Sequence, residues 1–276
     1  MIRLTIGVSL ALVAALAGDA FAITIFSAFG NDAADIQATV DTFRAALGNP
    51  NNGNGGPSAT GHREINWDGG GSTDTSPGVT PFNVFRNTRG GQFITPGTGF
   101  FQAPPSGGAG GGLETVFNNA TYGTIFDTFS APRLFVPVGS NVTDAIFFIP
   151  GTNGTIRAGV QGFGAVFTDV DLAGSTRIEL YDFEDNLIDS VNVPDIAGTN
   201  TLSFLGLLAG PGDPQIVRVR LITGTEALGP NDGGSVDIVA MDDFFYSEPQ
   251  LVAAPAALLL LAGALPVAAL RFRRRG

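Results

Sequence analysis

Val236-Asp237-Ile238-Val239-Ala240-Met241-Asp242-Asp243-Phe244-Phe245-Tyr246 is the stretch that decides the fold. At the two-residue period of a strand, Val236, Ile238, Ala240 and Phe244 share one face, and Val239, Met241 and Phe245 share the other. Such a strand is expected to be covered on both sides. Asp242 and Asp243 interrupt it, one on each face, so at least one carboxylate is expected to face an interior. There it must be paired, protonated or bound to a metal. Arg218 and Arg220, on one face of the preceding strand, are the candidate partners. The competing expectation is a structural calcium ion held by Asp242, Asp243 and loop carbonyls.

The same period extends upstream to Leu113. Strands are expected near Thr124 to Phe129, Leu134 to Val138, Ala145 to Ile149, Ala158 to Thr168, Arg177 to Asp182, Ile188 to Val193, Thr201 to Leu205 and Ile216 to Ile222. Short strands separated by Gly, Pro, Asn and Asp predict an all-β sandwich over 113–247, specifically a jelly-roll-like one. The absence of helical periodicity there argues against α/β enzyme folds with crossover helices.

Residues 23–112 read as an N-terminal segment packed on the sandwich or part of it. Ile23 to Phe29 alternates. Asn31-Asp32 offers N-cap oxygens to one short helix, in which Ile36, Val40, Phe43 and Leu47 form an apolar stripe that Gly48 and Pro50 end. From 48 to 112 Gly and Pro crowd the chain, which predicts long loops. The exceptions are Gly61-His62-Arg63-Glu64-Ile65-Asn66-Trp67-Asp68-Gly69, a strand closed by an Asp-Gly turn, and the apolar segments Phe82 to Phe85 and Gln92 to Thr95.

Both ends carry targeting patterns. Arg3, the apolar run Leu4 to Ala17 and Ala20-Phe21-Ala22 predict a signal peptide over 1–22. Leu251 to Leu270 is apolar and precedes Arg271, Arg273, Arg274 and Arg275. As a helix it would extend about 30 Å, the thickness of one bilayer core, with the arginines on the cytoplasmic side. The folded part is therefore expected outside the cell membrane, attached through a C-terminal transmembrane helix.

The tail at 248–276 resembles the PEP-CTERM family of bacterial sorting signals. Val252-Ala253-Ala254-Pro255-Ala256-Ala257 is similar to its Val-Pro-x-Pro-Ala variant, with Ala253 in place of the first proline, and Ser247-Glu248-Pro249 echoes the Pro-Glu-Pro form. The resemblance implies a sorting motif in Val252, Pro255, Ala256 and the cluster Arg273, Arg274 and Arg275. It also implies an exosortase-like enzyme as partner and delivery to the cell surface, often alongside exopolysaccharide export. Gly61 to Gly69, together with Phe163-Gly164-Ala165-Val166-Phe167-Thr168-Asp169-Val170-Asp171, resembles a group of uncharacterised exported bacterial proteins. That resemblance implies a secreted β-sandwich and no particular chemistry.

Charge and composition exclude several functions. A formal net charge of −11 repels nucleic acid, so no nucleic-acid partner is expected. All 14 basic residues are arginine. Without cysteine the chain has no disulfide, no thiolate nucleophile and no cysteine-based zinc site. His62, the only histidine, lies beside Glu64 and near Asp68, but nothing supplies a nucleophile or an oxyanion hole, so a hydrogen-bonded structural role is expected. Glycosidase-like acid pairs are Asp169 with Asp171, if one strand runs through both, and Asp182 with Glu184, which reads as a solvated turn. The Gly-rich runs lack the Lys-Ser or Lys-Thr of a phosphate loop. Trp67 is the candidate glycan platform, the other aromatics being three Tyr and 22 Phe suited to a core, but a short strand before an Asp-Gly turn more often tucks its aromatic inward, so buried packing is the favoured expectation. The expectation is a non-enzymatic, exported β-sandwich protein with a structural or adhesive role in the cell surface or extracellular matrix. A secreted polysaccharide hydrolase and a carbohydrate-binding module are the alternatives.

Overall fold

A computed structural model describes residues 22–211 and 215–252. The expected signal peptide apart from Ala22, and the expected span with Pro255, Ala256, Arg273, Arg274 and Arg275, lie outside the described residues. Among the described residues no helix is long and apolar enough to cross a membrane.

In chain order the elements are β1 (Ile23–Gly30), α1 (Ala33–Leu47), β2 (His62–Ile65), β3 (Ser76–Gly78), β4 (Gly91–Ile94), β5 (Gly99–Ala103), α2 (Gly112–Val116), α3 (Tyr122–Ile125), β6 (Leu134–Val138), β7 (Val142–Phe148), β8 (Arg157–Gly159), β9 (Gly162–Thr168), β10 (Arg177–Tyr181), β11 (Leu187–Asn192), β12 (Leu202–Ala209), β13 (Arg218–Ile222), β14 (Ala240–Ser247) and β15 (Gln250–Leu251). They form two antiparallel sheets, so the chain is all-β as expected. The first sheet runs β1-β12-β9-β14-β6-β5-β3 with β2 beside β14; the second runs β11-β10-β13-β7-β8-β15 with β4 beside β7. From β6 to β14 the chain crosses repeatedly between the sheets. The segment before residue 113 supplies strands to both.

One apolar core lies between the sheets. Phe163, Phe167, Leu205, Met241 and Phe244 from the first meet Ala145, Phe147, Ile178, Leu180, Val219 and Leu221 from the second. The outer face of the second sheet is solvated, and its strands β10 and β13 alternate strictly between buried and half-buried residues. The first sheet is covered on both faces, and every residue of β14 is buried.

Helix α1 forms part of that second cover. The Asp32 carboxylate caps it by accepting from the N–H groups of Ala34 and Asp35, and the buried residues are Ile36, Val40, Phe43 and Leu47, the expected stripe. These pack on Val166, Leu202, Phe204 and Phe245. Gly164 and Gly206, paired in the β9–β12 register, leave a hollow for the Phe43 ring. A Cβ on either glycine would stand 2.7 Å from that ring.

Four expectations are corrected. Thr124 to Phe129 is not a strand: residues 122–125 form α3, which with α2 packs Leu113, Tyr122 and Ile125 against Leu134, Val136 and Ile238. Residues 113–246 therefore do contain short helices. Ala158 to Thr168 is two strands in different sheets, because β8 pairs with β7 and β9 with β12. The Gly- and Pro-rich region, expected as loops apart from three segments, also holds β3 and β5, which pair with each other and continue to β6, while its loop at 53–56 closes on the Arg63 guanidinium, which donates to the carbonyls of Gly53, Gly55, Gly56 and Thr88.

Candidate functional site

Strand β14 carries a bulge at the acidic pair. Met241 pairs with Phe167 and Phe244 with Ala165, so Asp242 and Asp243 together oppose Val166 alone. The extra residue reverses the alternation. Met241 and Phe244 both enter the central core, while Phe245 turns to α1, which corrects the faces expected from strict alternation.

The bulge buries both carboxyls. Asp242 Oδ2 accepts from the Phe129 N–H at 2.6 Å and the Ser130 N–H at 3.3 Å. Asp243 Oδ1 accepts from Ser130 Oγ at 2.6 Å, and Asp68 Oδ2 lies 3.0 Å from the same hydroxyl. One hydroxyl proton cannot serve two carboxylates at once. Burial, and then the charge of Asp243, push Asp242 well above the usual carboxylate range, and its Oδ1 has no hydrogen-bond partner among the described residues. Burial raises Asp243 to about 6 despite its bond from Ser130. Burial raises Asp68 as well, against the opposing bond from the Arg133 N–H.

Arg218 and Arg220 are not the partners of this pair. With Val219 and Leu221 turned into the core, the two arginines project from the opposite face of the second sheet. Arg220 grips Asp144 with two bonds of 2.8 Å, and Arg218 Nε donates to Asp185 at 2.9 Å.

Trp67 is not a surface platform, being only 1% exposed. Its indole stacks on Phe135 at 3.8 Å and meets Phe82, Phe85, Phe93 and Phe244 edge-on. Every face a sugar could use is taken. Its Nε1 donates to the Asp242 carbonyl at 2.8 Å, and its own carbonyl accepts from Arg133 Nη2. Tyr122 and Tyr246 are buried, and Tyr181 has the Arg218 guanidinium 3.6 Å from its ring centroid.

Beside the bulge lies a cleft of about 340 Å³ lined by Arg44, Asn51, Gly53, Glu64, Asn66, Arg89, Ser130 and Asp243. His62 and Glu64 do meet, at 2.8 Å, while His62 Nδ1 lies 2.6 Å from the Gly48 carbonyl. With an acceptor at each nitrogen the imidazole is held as a cation. Burial opposes this, but the bonds to Glu64 and Gly48 outweigh it and raise the pKa. Burial likewise opposes ionisation of Glu64, and the bonds from His62 and Arg44 overcome it and lower its pKa. Asp68 turns away to Ser130 and Arg133. Asp182 accepts from the N–H groups of Glu184 and Asn186, so that acid pair is the expected solvated turn.

The sequence reading missed Ser130 and the pairing of Arg44 with Glu64 at 3.0 Å. It also missed the fully buried ion pair of Arg63 with Glu248, joined by two bonds of 2.7 Å. That pair commits Glu248, in the middle of Ser247-Glu248-Pro249, to the interior. Val252, the last described residue, lies just beyond β15.

The fold and site together define an all-β protein with a buried acidic pair at a strand bulge. Comparison with known proteins found no family model, no curated protein and no solved structure that matches the chain.

Proposed function

We propose that this is an exported, envelope-anchored or surface-sorted, non-enzymatic β-sandwich protein with a structural or adhesive role at the cell surface or in the extracellular matrix. The jelly-roll-like reading belongs to the same proposal. It is supported by the strand orders β12-β9-β14-β6 and β11-β10-β13-β7, which, followed in chain order, make the two four-stranded halves of an eight-stranded jelly roll. Such a fold hosts many functions, so the reading must rest on the site.

The observation that carries the non-enzymatic reading is the commitment of the cleft carboxylates. Glu64 gives Oε1 to His62 and Arg44 and Oε2 to Arg44, and Asp243 Oδ1 accepts from Ser130 Oγ. A general acid or a nucleophile must present an oxygen to its substrate. These oxygens are presented to the fold. Export is supported by the signal-peptide pattern and by β1 starting at Ile23, the first residue of the expected mature chain. Sorting by an exosortase-like partner rests on the PEP-CTERM-like tail.

The second reading, a polysaccharide hydrolase, is favoured by Glu64 and Asp243 lining one cleft. The full chain incubated with exopolysaccharide from the producing cells separates the two. Co-sedimentation with the polymer and no new reducing ends is the expected result. Release of reducing ends that is lost in Glu64→Gln and Asp243→Asn would overturn the non-enzymatic reading.

A further inference from the structure

At the rim of the sandwich, past the end of β9, four aspartates gather without a counter-charge. Asp169 does not continue the strand: it stands at φ 68° immediately after Thr168, so it and Asp171 do not share a strand face. The chain before β14 brings Asp232 and Asp237 to the same place. Asp237 is fully buried, and its carboxylate accepts from the N–H groups of Asp171 at 3.2 Å and Leu172 at 3.3 Å and from Ser175 Oγ. Asp171 accepts from the Gly198 N–H at 3.1 Å and its carboxyl meets that of Asp232, which accepts from the Ile238 N–H at 3.0 Å.

Asp169 is the exception within the group. It is 1% exposed, and neither of its carboxylate oxygens has a hydrogen-bond partner among the described residues. Its charged neighbours are Asp171, Asp232 and Asp237; no arginine among the described residues forms an ion pair with any of the four. An unpartnered buried carboxyl facing other acids is costly unless a proton or a cation answers it.

We propose that Asp169, Asp171, Asp232 and Asp237 form a binding site for a hard divalent cation, namely Ca²⁺, that ties the β9–β10 loop to the segment entering β14. The donor set is oxygen only, which suits calcium; its flexible shell of six to eight ligands accepts a few carboxylates completed by carbonyls and water. As they stand, no three acidic or histidine side chains among the described residues close to metal-holding distance. Binding would have to draw these carboxyls together. The site is separate from the Asp242–Asp243 pair, where Asp242 Oδ2 and Asp243 Oδ1 accept from N–H and O–H donors and Asp242 Oδ1 lacks a partner, whereas both oxygens of Asp169 lack one.

Thermal unfolding of the full chain in millimolar CaCl₂ and in chelator tests the assignment. Calcium is expected to raise the midpoint by several degrees, as binding to the native state alone must. The increase should vanish in Asp169→Asn and persist in Asp242→Asn. Equal midpoints in calcium and chelator for the unaltered protein would overturn the proposal and leave Asp169 as a protonated acid. A calcium response lost in Asp242→Asn but kept in Asp169→Asn would overturn it too, placing the ion at the bulge.

Discussion

The indole Nε1 of Trp67 donates to the backbone carbonyl of Asp242, joining the turn after β2 to the bulge of β14 across 175 residues of chain. Trp67 itself stands at φ 63°, a left-handed conformation uncommon for a bulky residue. Packing against five phenylalanine rings holds it there.

Trp67 is the only tryptophan, so its fluorescence reports on this junction directly. The native protein should emit at short wavelength, resist quenching by iodide, and shift to the red on unfolding. Trp67→Phe removes the donor and leaves a void, at a cost of about 2–4 kcal/mol in urea unfolding. Native emission that iodide quenches freely would contradict the buried placement.

The Arg63–Glu248 pair is fully withdrawn from water. Arg63→Met alone leaves the Glu248 carboxylate buried without its cation and should cost about 3–5 kcal/mol. Combining it with Glu248→Leu should recover part of that loss. Urea midpoints for the two single variants and the double variant measure the coupling. Additive losses would show that the pair does not act as a unit.

Gly206 lies under Phe43, and an added Cβ there meets three of the ring's carbon atoms within 3 Å. Gly206→Ala should therefore destabilise by about 1–3 kcal/mol through overpacking, and Phe43→Ala in the same chain should relieve part of it. Circular dichroism with thermal unfolding checks both.

The bulge carboxyls predict an unusual pH dependence. Both pKa values are raised, so the native state keeps protons that the unfolded chain gives up above about pH 4. The pair's contribution is full below that pH and declines as pH rises through the value of about 6 for Asp243, continuing beyond it because Asp242 is higher still. Asp242→Asn removes one of the two titrating groups and its charge from beside Asp243 and should flatten this slope. Urea midpoints from pH 4 to pH 8 for the two proteins give the difference, from which the other titrating groups largely cancel. Parallel curves would refute the raised pKa values of the pair.

Helix α1 was legible residue by residue, because its cap and its stripe are local and a helix buries one face at a fixed period. Most strands were legible for the same reason. The bulge was not: two adjacent aspartates in an alternating run carry no local mark of an extra residue, and the facing strand alone reveals it. The division of residues 158–168 between two sheets had only a weak local mark, Gly159, Gln161 and Gly162 around Val160. Arg218 and Arg220 were paired with the wrong acids because cross-strand register, which sets Arg220 opposite Asp144, is a long-range property. Trp67 was legible only as an alternative between surface platform and buried packing, because an aromatic beside a turn has the same local sequence whether it turns in or out. Asp169 and Asp171 were noticed as a pair, but Asp232 and Asp237, some sixty residues on, reach them only through the fold.

Intact mass of the protein recovered from fractionated cells is the most direct test of its proposed place at the cell surface. The account predicts a chain beginning near Ile23, found in the envelope, matrix or medium. A chain retaining residues 1–22 and recovered from the cytoplasm would contradict it.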